Sequence, residues 1–411
     1  MGKACTLNVV IGKVSPALLE TYVVHRRLAL DRMPSGCAVN DEAYVDTMMK
    51  MILALPMAIQ ERIYHDFRGV RHLATREGFQ HLTRIGSMST QREPVDVVTQ
   101  TASLKTLSDR VFWVMLHHYA LFEEAVERVK VIGLKMGRYH RELMPLAEAP
   151  SIDSAVQARL AKAVMAYFKQ EGRAEFCKVR CYHHGEHTYY CAYPMDYTDV
   201  EQGYGVDGTL ERRMRPTTFN IFWRFTHTSG RLCIHMDQPV RAVIDALTEM
   251  FIAAVLPEYD GECSCHLYTV DPLVERPEEA LLESAQELYP ELEHITVMEY
   301  LYELPGCDAS ISLKARRASA RRSALSIRHI SERTLNHADT LVANSQLVGA
   351  SVLFKFPGKG TRGSVTTLIK EPDYCDLDDL PNHRKVMHIL AHIGVDRGRY
   401  VKRMADIPAL S

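Results

Sequence analysis

The stretch FCKVRCYHHGEHTYYCAY, residues 176–193, decides the fold class. Two short runs rich in Tyr, Val and Cys flank Gly185-Glu186, which has the composition of a tight hairpin turn. On a two-residue turn His184 stands opposite His187, while Cys177, Cys181 and His183 point to the other face. A second pair follows in FNIFWRFTHTSGRLCIHM, residues 219–236. Phe219, Ile221, Trp223 and Phe225 alternate down one strand, Thr228-Ser229-Gly230 turns, and Arg231 to Met236 returns. Asp196 to Pro216, between the pairs, reads as a long Gly- and Asp-containing connection. After Pro239 an amphipathic run carries Val240, Val243, Ile244, Leu247, Met250, Phe251 and Ala254. This region is therefore expected to be an antiparallel meander closed by a helix.

Upstream the period changes from two to 3.6. Leu107, Val111, Val114, Met115, Tyr119, Phe122, Val126 and Val129 trace one stripe of a helix expected over residues 104–136. Ile152, Val156, Leu160, Val164 and Phe168 trace another, with Ser151 as N-cap and Gly172 as stop. Helices that bury such stripes against one another form a bundle. Downstream, a helix is expected at 278–288, strands at 295–304, 346–356 and 363–370, and a last helix at 381–393 behind Asp376, Asp378 and Asp379. No internal repeat is visible. The fold class is therefore α+β, an N-terminal helical bundle followed by antiparallel sheet regions with packed helices. The expected domains are 1–172, 173–260 and 261–411, since 411 residues exceed one ordinary core.

The composition, 46% apolar and 24% charged with a net charge of −2, is globular and offers no overall field to a polyanion. No apolar run approaches the roughly 20 residues that span a bilayer. The ten cysteines are scattered and no secretory signal core precedes them; reduced thiols in a bacterial cytoplasm are the simplest expectation. No Gly-x-Gly-x-x-Gly, Walker loop, Gly-x-Ser-x-Gly or His-Glu-x-x-His occurs, so no cofactor is expected, and the nucleotide-driven, serine-hydrolase and zinc-protease classes recede.

Four groups of residues could carry chemistry. Cys177, Cys181 and His183, with Cys263, Cys265 and His266, are of zinc-ligating type, but no single face of the hairpin collects the first set, and buried sheet cysteines are the preferred reading. Arg110 and His117 lie two turns apart on one helix face; Arg-x(4–6)-His there, as in Arg76 and His81, resembles the short catalytic motif of HEPN-type ribonucleases. The resemblance implies an arginine that holds phosphate and a histidine that moves a proton, against the more ordinary reading of a surface Arg and a polar His. The carboxylates of 196–211 could hold a hard cation but match no known loop, and a solvated surface is preferred.

The fourth group is basic. Lys314, Arg316, Arg317, Arg321, Arg322, Arg328 and Arg333 against Glu332 give residues 311–333 a local charge of +6. Lys355, Lys359 and Arg362 lie nearby on a Gly-rich hairpin tip. Such clusters suit phosphate neutralisation. The alternative is internal pairing with residues 271–293, whose eight acids and one Arg carry −7. The expectation is a non-catalytic subunit of a bacterial intracellular system, of an accessory or defence type, that binds nucleic acid or a protein partner, including a second copy. A nuclease, or a purely structural, oligomer-forming protein, is the alternative.

Overall fold

The computed structural model describes residues 3–28, 41–88, 94–132, 139–204, 209–237, 239–304, 309–314, 345–358, 363–377 and 380–398. The protein is α+β, and its contacts divide it into two units, residues 1–134 and 135–411.

The first unit is helical: α1 (Lys3–Ile11), α2 (Pro16–His25), α3 (Glu42–Leu53), α4 (Met57–Leu73), α5 (Arg76–Met88), α6 (Val97–Gln100), α7 (Leu107–His117) and α8 (Tyr119–Ile132). Side-chain caps start several of these: Asp41 accepts from Ala43 and Tyr44, and Thr106 accepts from Asp109. The stripe expected as one helix over 104–136 is two, because His118 leaves the helical region with φ −134° and ψ 54°. Beyond this break Tyr119 donates to Asp66 at 2.9 Å. Asp66, fully buried on α4, also accepts from Tyr22 at 2.8 Å and Arg26 at 2.9 Å. A buried carboxylate survives only when its lone pairs are filled in this way. Around it Tyr22, Phe67 and Phe112 meet at ring separations of 5.5–5.7 Å. Helices α4 and α8 approach so closely at Gly69 that a Cβ there would stand 2.6 Å from the Phe122 ring.

The second unit is one antiparallel sheet of eleven strands with helices on it. Its elements are β1 (Tyr139–Glu142), α9 (Ser154–Phe168), β2 (Cys177–His184), β3 (His187–Tyr204), β4 (Leu210–Thr218), β5 (Ile221–Thr226), β6 (Arg231–Met236) and α10 (Arg241–Val255), then α11 (Asp271–Glu275), α12 (Glu278–Gln286), β7 (His294–Glu303), β8 (Ser310–Lys314), β9 (Gln346–Lys355), β10 (Ser364–Lys370), β11 (Tyr374–Cys375) and α13 (Pro381–His392). The strand order is β2-β3-β5-β6-β1-β11-β10-β9-β7-β8, with β4 on the far part of β3. Helix α9 packs with α10 on this sheet, within the unit of residues 135–411. Asp196–Pro216 is not a loop but a two-stranded arm, with Asp199 in register with Arg215 and Glu201 with Arg213.

The sheet has two architecturally similar halves, each a helix, a set of antiparallel strands and a helix: α9 to α10, and α12 to α13. Register shows that they bury opposite faces. Tyr139 pairs with Ile234 of the first core and with Tyr374. Tyr374 pairs with Lys370, whereas the neighbouring Cys375 pairs with Ile369. Cys375, Ile369, Ala350, Val352, Phe354 and Ile295 form the second core on the reverse face. Facing side chains of antiparallel pairs lie on one side of the pleat, so the face changes from one half to the other.

Candidate functional site: the junction strand and the open sheet face

Strand β1 joins the halves, and three of its four residues are buried and charged or polar: His140, Arg141 and Glu142. Alternation sends Arg141 to the face of the first core. There it donates through one terminal nitrogen to Asp373 and through the other to Asp245 at 2.6 Å, and Arg241 of α10 donates to the second oxygen of Asp373 at 2.7 Å. Arg141 and Asp373 are each about 2% exposed, so neither charge is shared with bulk water. On the reverse face Arg231 of β6 donates to both oxygens of Asp396, at 3.1 and 3.0 Å, and the amide of Gly398 donates to one of them at 2.9 Å. Burial works against the Arg231 charge, but Asp396, Tyr268 and Glu142 outweigh it and hold the guanidinium protonated. A Cβ at Gly398 would stand 2.6 Å from Arg231 Nη2, so this position takes glycine. The backbone register between the halves is a single pair, Tyr139 with Tyr374. The two buried ion networks, one per face, are what pin it. Sequence reading missed all of these residues, since Arg141 and Asp373 are 232 positions apart and each carries no local signature.

The halves differ in cover. All six residues of β5 and of β6 are buried, so both faces of these two central strands are occupied, while the edge strand β2 alternates and exposes Lys178, Arg180 and His183. In the second half burial alternates. In β10, Val365, Thr367 and Ile369 are buried, while Thr366 and Lys370 are exposed and Leu368 half-buried. Ser351, Leu353 and Lys355 of β9 are half-buried on this same open face. On the edge strand β8, Lys314 is exposed opposite Glu299 and pairs with it at 3.2 Å. Lys370 lies 5.5 Å over the Tyr374 ring, which in turn meets Tyr139 edge-on at 5.6 Å. The open face thus carries Lys314, Lys355 and Lys370, with Glu299 and Glu303 of β7, among hydroxyl, leucine and tyrosine side chains.

Of the expected basic set, Lys314 and Lys355 are brought to this one face. Arg316, Arg317, Arg321, Arg322, Arg328, Lys359 and Arg362 lie outside the described residues. The acidic block finds other partners where it is described: Glu291 takes Lys385 at 2.7 Å, Glu287 faces His392 at 3.3 Å, and Asp271 takes Arg397 at 3.1 Å.

Arg110 and His117 both lie on α7, but they are engaged separately. Arg110 donates to the Leu104 carbonyl at 3.0 Å and lies 5.8 Å over the Phe79 ring. His117 is exposed and packs on Trp113 at 4.4 Å. Arg76 is exposed and His81 half-buried at the start of α5, where burial, then Arg84, lowers the His81 pKa.

The hairpin register sets His184 opposite His187 and His183 opposite Thr188, whose hydroxyl is 3.0 Å from His183 Nδ1. Cys177 and Cys181 lean on the first core, and burial pushes the Cys177 thiol up to about 11 and that of Cys181 higher. Cys263, Cys265 and His266 lie on an exposed or half-exposed segment around Ser264, which bridges to Glu142. Among the described residues no three His, Cys, Asp or Glu side chains converge as a metal ion requires. No helix among them is long and apolar enough to cross a membrane.

No protein-family model matches the chain and no curated protein matches it in sequence, so the functional reading rests on this geometry.

Proposed function

We propose that the protein is a non-catalytic binding subunit that takes an extended polyanion, nucleic acid foremost, on the open face of β10, β9, β7 and β8. The observation that carries this reading is the alternating burial of the second half, whose open face gathers Lys314, Lys355 and Lys370, whereas the central strands β5 and β6 of the first half are buried on both faces. Lysines supply phosphate contacts, hydroxyls supply further donors, and a tyrosine at the rim supplies a stacking surface. Residues 311–333, which include Lys314, carry a local charge of +6 in sequence. The net charge of −2 confines any such attraction to this local surface.

The test is fluorescence anisotropy of labelled single- and double-stranded DNA and RNA at two salt concentrations, with the probes run on a gel afterwards. The reading expects salt-sensitive binding with intact probes. Neutralisation of Lys355 or Lys370 to glutamine removes one phosphate-neutralising cation and should lower the salt slope by about 0.7–0.9. No binding at low salt rejects the reading, and cleaved probes replace it with the nuclease one.

A protein partner is the second reading, and one observation favours it. The β3–β4 arm exposes Val200 at 50%, Leu210 at 60% and Met214 at 75%. A two-stranded ribbon with an uncovered apolar side is marginal alone and gains from a partner.

A further inference from the structure

The junction holds a nucleophile that the binding reading does not use. Cys233 on β6 is 1% exposed and stands opposite His140 of β1. Its sulfur lies 3.3 Å from His140 Nδ1 and 3.4 Å from an Arg224 terminal nitrogen. The other imidazole nitrogen, Nε2, faces the Cys375 carbonyl at 3.3 Å. A carbonyl only accepts, so Nε2 carries a proton. Two arrangements of the remaining proton are then open: S–H donating to Nδ1, or a thiolate beside an imidazolium. Arg224 decides between them. It is always cationic, donates to the same sulfur, and is itself buried, so the anion gains a second charge-assisted bond that a thiol would not.

We propose that Cys233 is a thiolate held by His140 and Arg224, and that a small neutral hydroperoxide oxidises it to the sulfenic acid. Burial raises the thiol pKa, but His140 and then Arg224 outweigh it and bring the group down to about 5. The contrast is with Cys375, a strand away and equally buried, where burial pushes the thiol up to about 12. In the step, the thiolate attacks one peroxide oxygen, the S–O bond forms and the O–O bond breaks. The leaving hydroxide takes the proton from His140 Nδ1 and departs as water. Sulfur loses two electrons, the peroxide gains them, and neutral Cys–SOH is left beside neutral His140. The 1% exposure restricts the oxidant to one that is small and uncharged, such as hydrogen peroxide, and excludes one the size of a glutathione disulfide. Oxidation removes the anion that balances Arg224 at the strand pair joining the two halves.

The experiment treats the full-length native protein with hydrogen peroxide at pH 6, 7 and 8, quenches with a sulfenic-acid-trapping dione under denaturing conditions, and quantifies each cysteine peptide by mass spectrometry. Cys263, exposed on its loop, is the internal reference. The proposal expects the Cys233 rate to be nearly flat across this range and to exceed that of Cys263 about tenfold or more at pH 6. An ordinary thiol below its pKa gains about tenfold per pH unit. A Cys233 rate that rises with pH as steeply as that of Cys263, or falls below it at pH 6, overturns the proposal. Arg224→Gln, where it folds, should restore a pH slope to Cys233 while leaving Cys263 unchanged.

Discussion

Replacing Asp373 by alanine tests the junction most severely. The substitution deletes the carboxylate that accepts from Arg141 and, at 2.7 Å, from Arg241. Arg141, 2% exposed, keeps Asp245, which is 53% exposed, and the His140 carbonyl. Breaking a buried pair by removing one partner costs about 3–5 kcal/mol, because the other charge stays desolvated. The surviving, solvent-facing Asp245 places the loss at the lower end, about 3 kcal/mol. For a unit of this size that lowers the melting temperature by about 6–12 °C. Asp373→Asn keeps the shape and one acceptor and should lose about half as much. The assay follows from the two tryptophans, Trp113 in the helical unit and Trp223 buried in the sheet. In a Trp113→Phe background, urea unfolding followed by fluorescence reports the sheet alone. A loss under about 1 kcal/mol would show that the network adds nothing to the joint and refute the reasoning from its burial.

Further outcomes follow from other contacts. Asp66→Ala strands Arg26, Tyr22 and Tyr119 without their shared acceptor and should destabilise the helical unit by about 3 kcal/mol, read by Trp113 in a Trp223→Phe background. Gly69→Ala puts a methyl 2.6 Å from the Phe122 ring and should cost the same unit about 1–3 kcal/mol by thermal melt. Gly398→Ala intrudes on Arg231 and Asp396 and should lower the sheet transition without moving the helical one. His388, bonded to Tyr289 at 2.7 Å, has its pKa lowered by burial and then by Arg384. The unfolded state therefore binds more protons below the ordinary histidine range, and stability should fall as pH drops from 7 through that range towards the lower folded pKa. His388→Gln should flatten that slope in urea titrations at pH 7 and 5.5.

Sequence periodicity captured the strands and helices whose burial is one-sided. The strand at Ile295 to Tyr302 and the four-residue spacing of Val156 to Phe168 each arise from a single apolar face, and the Phe219 to Phe225 alternation marks the inner face of a strand buried on both sides. What escaped has a physical pattern. The arm of β3 and β4 has a polar, charged composition with few apolar residues, so its strands look like a polar loop. The break at His118 lies inside a stripe that stays in phase across it. The twofold plan of the second unit is a repeat of architecture, with helix, antiparallel strands and helix facing opposite ways, and needs no repeated residues. The junction networks join β1 and α10 to residues beyond 370, and long-range ion pairs leave no trace in local spacing. Of the binding surface, Lys314 and Lys355 were legible as part of a charge cluster, whereas Lys370 and the Tyr139–Tyr374 pair emerge only from strand register.

The most direct test of the open-face account is photo-cross-linking of a 4-thiouridine-containing RNA to the full-length protein, with the linked peptides identified by mass spectrometry. The account predicts adducts within residues 346–374, on β9, β10 and the approach to Tyr374. Adducts confined to residues 1–134, or none under conditions of measurable binding, would contradict it.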